Sequence, residues 1–495
     1  MNTGANFYEL LDISRVASTE KIRRAYHEAA LRMHPDVSSN IDANERFLEI
    51  KKAYDTLINP KTRKEYDHYL KTENYQPILV DSLYSRERIS RISKPQKVYC
   101  LVDFEAVERF KTRSAPTMNI CMIIDRSNSM KGKRLETVKL AVLELLKRFK
   151  KEDTLSIIVF GDRSEVLFPA SQEKDEKRIS ALVKTIHAAG GTEIYRGLHA
   201  GYEELLKNLN GSKRSLINQM IILTDGQTYG DERDCLALAD EAARKNIHIT
   251  SLGIGSKWND QLLDEISARS GGSSYYIARM HDIQRFIQLK FDLLMEIYAE
   301  NVTLNLESAE DSDVVSVIRL QPEPTIFQNP SVINLGTLLN SKQTSLLIEF
   351  LVTNMPQNRS RQALAKGTLD YILASDSGNK QQKQISFSRL IGENQYEEET
   401  PDRIMQALSQ VNIFKMQERA RQEVREGKIE AASKRLQNIV TQLSEMGEGE
   451  AQDLAKTILI EIERIQKSNQ LSPEGEKGIK YGTRSLLLPP SIYKE

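Results

Sequence analysis

The chain has 495 residues, too many for one ordinary hydrophobic core, so about three to four folded units are expected. Basic and acidic side chains balance at 69 each, which leaves no global field to draw nucleic acid or an anionic membrane, and electrostatic recognition has to be local. No stretch has the charge and apolar pattern of a signal peptide or the roughly eighteen apolar residues of a membrane span, so a soluble, cytoplasmic protein is expected.

The first unit reads as helices. After Ser18, apolar Ile22, Ala25, Tyr26, Ala29 and Met33 recur at helical spacing, and Lys21, Arg23, Arg24 and Arg32 make the opposite face mostly basic. Pro35 ends that helix. A second helix carries Phe47, Ile50, Ala53, Tyr54 and Leu57 on one side, with Pro60 closing it. Two antiparallel helices joined by a loop with His34, Pro35 and Asp36 would bury a small core between them.

This arrangement, from "NFYELLDIS" through "HPD" to "NPKTRKEYDHYL", resembles the J domain of DnaJ-type co-chaperones over residues 1–70. The resemblance implies docking on a DnaK-type chaperone and stimulation of its ATPase. His34, Pro35 and Asp36 would be the loop that does this, and Lys21, Arg23, Arg24 and Arg32 the docking face. A basic stripe steers encounter with an acidic partner. Two departures bear on docking: Asp12 stands where the family often has glycine, and His27 and Glu28 replace residues that are commonly basic.

From Thr117 the pattern changes to apolar runs, "MNICMII", "TLSIIVF", "QMIILTD" and "HITSLGIG", separated by amphipathic stretches. The runs read as buried parallel strands and the whole as a doubly wound, Rossmann-like α/β sheet. In such sheets ligands sit beyond the carboxyl ends of the strands. Asp125, Ser127 and Ser129 follow the first strand, Thr192 precedes a helix in "GGTEIYRGL", and Asp225 ends a later strand in "ILTDG". Hydroxyls and carboxylates together make an oxygen-only site suited to Mg²⁺, Mn²⁺ or Ca²⁺.

The ordered set "DRSNS", "GGT" and "TDG" resembles the metal-ion-dependent adhesion site of von Willebrand factor type A domains, over about residues 117–298. By that resemblance the hydroxyls of Ser127, Ser129 and Thr192 bind the metal, and Asp125 and Asp225 coordinate it directly or through water. An open position then accepts a carboxylate from a protein partner. Arg126 and Asn128 are expected beside the metal in solvent, Trp258 as a packing anchor, and Cys100, Cys121 and Cys235 as buried thiols.

Both flanks read as strands without helices, "PILVDSLYS" and "SKPQKVYCLVDFEAV" before, five such runs after. They suggest one antiparallel β-sandwich, residues 81–116 and 299–392, with the α/β domain inserted; separate β pieces are the alternative. Residues 71–80 and 393–401 read as linkers, 402–468 as a three-helix bundle of the tetratricopeptide sort, and 469–495 as a tail, whose end "YGTRSLLLPPSIYKE" is expected to be loosely packed, with a docking peptide as the alternative.

A modular adaptor follows as the expectation. The first unit would recruit a DnaK-type chaperone, and the metal domain would grip a protein partner through an acidic side chain, with no enzymatic activity, nucleic acid or membrane involved. The alternatives are an assembly scaffold whose J domain does not stimulate, and a metal-assisted hydrolase built on Asp125 and Asp225, for which only Glu193 lies in the metal loops as an extra carboxylate.

Overall fold

The computed structural model describes residues 6–33, 43–72, 76–92, 94–107, 117–209, 216–228, 230–279, 282–322, 324–355, 359–374, 379–392, 399–446 and 449–486. Among these residues four helices, α1 (Phe7–Leu10), α2 (Thr19–Met33), α3 (Ala43–Ile58) and α4 (Pro60–Thr72), form the first unit. Ile22 and Ala29 of α2 meet Ile50, Ala53 and Leu57 of α3 in its core. Tyr26 stacks on Tyr54 with ring centroids 4.1 Å apart. Pro60 opens α4 rather than merely closing α3, because a proline at the first helical position gives up an N–H that has no helical partner anyway.

The inserted domain is a six-stranded sheet, and alternate side chains of its central strand β4 (Thr117–Asp125) feed two separate cores. Ile120, Met122 and Ile124 lie with α5 (Lys133–Leu146) and α10 (Asp282–Met295) on one face. Cys121 and Ile123 lie with α7 (Ile194–Leu209) and α9 (Asp260–Ser270) on the other. Both faces are covered, which is why the strands read as unbroken apolar runs. The neighbours of β4 are β5 (Thr154–Phe160) and β7 (Leu216–Thr224), both parallel to it; beyond them lie the antiparallel edge β6 (Ser164–Ser171) and, on the other side, β8 (Ile247–Ile254) and β9 (Ser274–Ile277). Helices α6 (Glu176–Lys184) and α8 (Glu232–Arg244) complete the layers.

Strands from both sides of this insertion build one sandwich. One sheet orders β1 (Ile78–Tyr84), β3 (Gln96–Ala106), β14 (Thr344–Val352), β11 (Ser312–Gln321) and β12 (Thr325–Phe327). The other orders β13 (Val332–Leu339), β10 (Ile297–Ser308), β15 (Arg361–Leu373), β16 (Lys380–Gly392) and β2 (Arg88–Ser90). Between the sheets Phe350 meets Phe387 at 5.8 Å, among Val98, Phe104, Leu304 and Leu369. The structure departs from the sequence reading in that β1 begins at Ile78, inside the stretch read as linker, that β16 is a strand where none was read, and that β2 pairs parallel with β16 in an otherwise antiparallel sandwich.

Among the described residues the carboxyl-terminal unit has four helices, not three: α11 (Asp402–Arg425), α12 (Ile429–Glu445), α13 (Glu450–Ser468) and α14 (Pro473–Ser485). The expected loose tail is therefore corrected as far as Leu486. Ser472 caps α14 by accepting from Gly475 N–H at 2.8 Å, and Pro473 starts it. Ile404, Ala407 and Val411 of α11 cover Leu101, Ile318 and Leu347 on the outer face of the first sheet.

The first unit is seated on the sandwich. Leu79 and Val107 join its core, and Asp81 accepts from the Ser14 hydroxyl at 2.9 Å and from Arg15 N–H at 3.1 Å. Arg15 pairs with Glu105 at 3.0 Å, and Asp12 with Arg361 and Arg389.

Candidate functional site

The carboxyl edge of the six-stranded sheet gathers the oxygen donors read from the sequence. Parallel register sets Ile124 beside Leu223, so Asp125 and Thr224 end their strands as neighbours. The Thr224 hydroxyl donates to Asp125 Oδ2 at 2.6 Å, and Ser127 N–H to Asp125 Oδ1 at 2.7 Å. A 3-10 turn, Asn128–Met130, then brings Ser129 round. The Ser127 and Ser129 hydroxyls lie 2.9 Å apart, and Ser129 Oγ donates to Asp225 Oδ1 at 2.6 Å.

Thr192 comes from the third loop. A Cβ on Gly226 would lie 2.5 Å from its hydroxyl, so the residue after Asp225 has to be glycine for these two loops to approach. Backbone bonds lace the Thr192 loop to the first loop: Asn128 N–H donates to Gly190 O at 3.0 Å and Ala189 N–H to Arg126 O at 2.7 Å. Asp125, Ser127 and Asp225 are buried, Thr192 is half-buried and Ser129 is exposed, so the cluster reaches solvent through its hydroxyls.

Burial pushes the Asp125 carboxyl up to about 6, against the hydrogen bonds from Thr224 and Ser127 that favour its ionised form. Asp225 faces a cation: Arg134, in the first turn of α5, donates from Nη1 to Asp225 Oδ2 and, at 3.2 Å, to the carbonyl of Ser129. Three hydroxyls and two carboxylates are a hard, all-oxygen donor set, so Asp125, Ser127, Ser129, Thr192 and Asp225 fit a divalent cation of the Mg²⁺ class. Among the described residues no group of three or more His, Cys, Asp or Glu side chains is placed to hold a metal ion, so the hydroxyls are indispensable to any such site.

Sequence reasoning missed Thr224 and Arg134. Thr224 could have been found from its place immediately before Asp225 at a strand end; Arg134 carries no local signal. Of the other residues singled out, Asn128 is exposed, whereas Arg126 is half-buried and lies 3.7 Å from Glu165. Glu193 pairs with Arg196 at 3.5 Å. Trp258 is buried, donating to Gly255 O at 2.8 Å, and the three cysteines are buried and free.

On the helical unit, His34, Pro35 and Asp36 lie outside the described residues, as does the side chain of Arg32 on α2. Arg23 is exposed. Lys21 and Arg24 are met by Glu87 of the sandwich at 3.0 Å and 3.5 Å, and Glu28 pairs with Arg88. Of the residues that depart from the family pattern, Asp12 and Glu28 are contacts between the helical unit and the sandwich, whereas His27 is exposed, with its ring 5.8 Å from that of Tyr26.

Comparison with known proteins matches three family models: DnaJ domain at residues 6–67, von Willebrand factor type A domain at 119–289, and Sll0103-like, C-terminal alpha-helical domain at 402–489. The Synechocystis sp. protein sll0103 is 30% identical over 247 residues, 48% of this chain and 58% of its own length. The chaperone protein DnaJ of Gloeothece citriformis is 47% identical over 64 residues, 13% of this chain and 17% of its own length. The chain thus spans less than two thirds of either relative. A solved von Willebrand factor type A protein from Catenulispora acidiphila superposes with a TM-score of 0.67 at 15% identity, covering 83% of this chain and 98% of that one, which shows a shared fold. Among the described residues no helix is long and apolar enough to cross a membrane. The chain is a fusion of a DnaJ domain with a von Willebrand factor type A domain, ending in an Sll0103-like helical domain.

Proposed function

We propose that the chain is a modular co-chaperone of the cytoplasm. Its DnaJ domain recruits a DnaK-type chaperone and stimulates its ATPase, and its α/β domain binds a protein partner through a divalent cation, Mg²⁺ first, held by Asp125, Ser127, Ser129, Thr192 and Asp225. On this reading it is a binding protein and not an enzyme, and the partner supplies an acidic side chain. The observation that supports it most is the meeting of donors from three distant loops, with Ser127, Ser129 and Asp225 in one hydrogen-bonded chain.

Two measurements test it. Calorimetry of Mg²⁺ with the full chain is expected to show binding that Asp125→Ala abolishes and Ser129→Ala weakens about tenfold, through loss of a ligand. Ser129 is exposed, so its variant keeps the fold while reporting on the ion. No heat with Mg²⁺, Mn²⁺ or Ca²⁺ would retire the metal half. His34→Gln is expected to remove stimulation of a DnaK-type ATPase, and stimulation left undiminished would retire the docking half. The engagement of Lys21 and Arg24 by Glu87 favours a second reading, in which the DnaJ domain is an assembly element. Absence of stimulation by the unaltered chain would select it.

A further inference from the structure

The charge beside the metal site is as informative as the oxygens within it. Asp225 divides its carboxylate, with Oδ1 toward the Ser129 hydroxyl and Oδ2 toward the Arg134 guanidinium. The guanidinium is seated rather than loosely attracted. It also donates to the Ser129 carbonyl at 3.2 Å, and it lies against Gly255, where a Cβ would stand 3.3 Å from Nη2. Both bonds use Nη1, so among the described residues Nη2 and Nε are left as donors on a side chain one-third exposed. Lys131 and Lys133, in the same segment, are exposed and have no ion-pair partner among the described residues. The nearby carboxylates are already used: Asp162 accepts from Gly191 N–H, and Asp231 from Thr228 and Tyr195.

We propose that Arg134 is a partner-selecting residue: it weakens the hold of the site on a free cation and supplies a second contact for an acidic partner, so that cation and partner bind together. The inference rests on the metal reading above. A guanidinium on the ligand carboxylate repels an incoming divalent ion, whereas a partner carboxylate is attracted by both the ion and the guanidinium, whose planar fork suits two oxygens. Linkage then makes the coupling reciprocal, the partner tightening the metal as much as the metal tightens the partner. The basic rim at Lys131 and Lys133 extends the preference from one carboxylate to a segment bearing several.

The test uses the full chain, with Mg²⁺ alone and then a tetraglutamate peptide at saturating Mg²⁺, both followed by calorimetry. Arg134→Gln is expected to bind Mg²⁺ about tenfold more tightly than the unaltered chain, the scale of one charge removed a few ångströms away. It is expected to bind the peptide about fivefold more weakly. Arg134→Lys keeps the charge and should keep the Mg²⁺ affinity within about twofold, while losing part of the peptide affinity because an ammonium lacks the fork. Equal or weaker Mg²⁺ binding by Arg134→Gln overturns the proposal, as does an unchanged peptide affinity or a Lys variant that behaves like the Gln variant. Failure of all three forms to bind Mg²⁺ overturns the metal reading itself, a result distinct from equal binding by all three.

Discussion

Arg389 of the sandwich donates to Asp12 of the DnaJ domain at 2.8 Å, with its guanidinium lying 3.8 Å over the ring of Tyr84. Asp12 takes a second bond from Arg361 at 2.9 Å, in a backbone conformation with φ at 56°. The residue that departs from the family pattern thus bridges two domains. Asp12→Ala leaves the buried Arg389 without its anion and keeps a Cβ in the left-handed region without the short polar side chain that makes aspartate tolerable there, an expected cost of about 2–3 kcal/mol at the interface. Asp12→Gly loses the same ion pairs but suits the backbone, and should cost about 1 kcal/mol less. Hydrogen exchange of α1 and α2 in the full chain measures both; exchange unchanged in either variant would show that the two domains are not held by this contact.

Glu87 faces Lys21 and Arg24, but these side chains are 42% and 58% exposed, so the pairs contribute little to stability. Their effect is on encounter. Glu87→Gln is expected to leave the melting temperature unchanged and to raise stimulation of a DnaK-type ATPase a few-fold at low salt, converging with the unaltered chain above about 0.5 M salt as screening removes the difference. Stimulation that is equal at low salt would show that the docking face is not contested.

Helix α14 meets the α/β domain through buried charge. Burial alone would raise Asp260, but Lys480, Arg421 and Lys477 outweigh it and hold the carboxyl at about 2, against 3.8 ordinarily. A lowered carboxyl contributes stability above its unfolded value and loses it as the pH falls, here from about pH 4 to about pH 2, amounting to about 2 kcal/mol. Asp264, also held down by Arg484 and Lys480 against burial, acts in the same direction. Trp258 is the single tryptophan and lies 4.6 Å beneath Lys477. Its emission should shift to the red through this window, and an emission constant down to pH 2 would contradict the assignment.

Gly253 on β8 is bare because of the same indole. A Cβ there would stand 2.0 Å from Trp258 Cε2. Gly253→Ala is expected to displace the ring at about 1–3 kcal/mol, the usual cost of overpacking a core, with loss of near-ultraviolet dichroism from the indole. A melting curve identical to that of the unaltered chain would show that the slot can relax.

Legibility in the sequence followed how local each signal was. Ile120, Met122 and Ile124 announce a strand covered on both sides, and Asp125, Ser127 and Ser129 declare an oxygen site within five residues. Arg134 was silent because its partner, Asp225, is 91 residues away. Strand β16 opens on Lys380, Gln381, Gln382 and Lys383, a polar run with no apolar alternation until Ile385, and it was not read as a strand. Helix α14 contains Gly475, Gly478 and Gly482, poor helix formers that weaken its local helical signal. The glycines are there for approach: Cβ atoms at Gly475 and Gly482 would stand 2.1 Å from Glu461 and 2.6 Å from Leu454 of α13. Tertiary contact decides that helix, and no window of sequence contains it.

The α/β domain hangs from two places at once. The chain leaves β3 to enter it and returns directly into β10. Strand β3 lies between β1 and β14 in one sheet, and β10 between β13 and β15 in the other, so each tether is an interior strand. Traction on a partner gripped at the metal rim would be divided between the two sheets, each resisting with hydrogen bonds on both sides of the loaded strand.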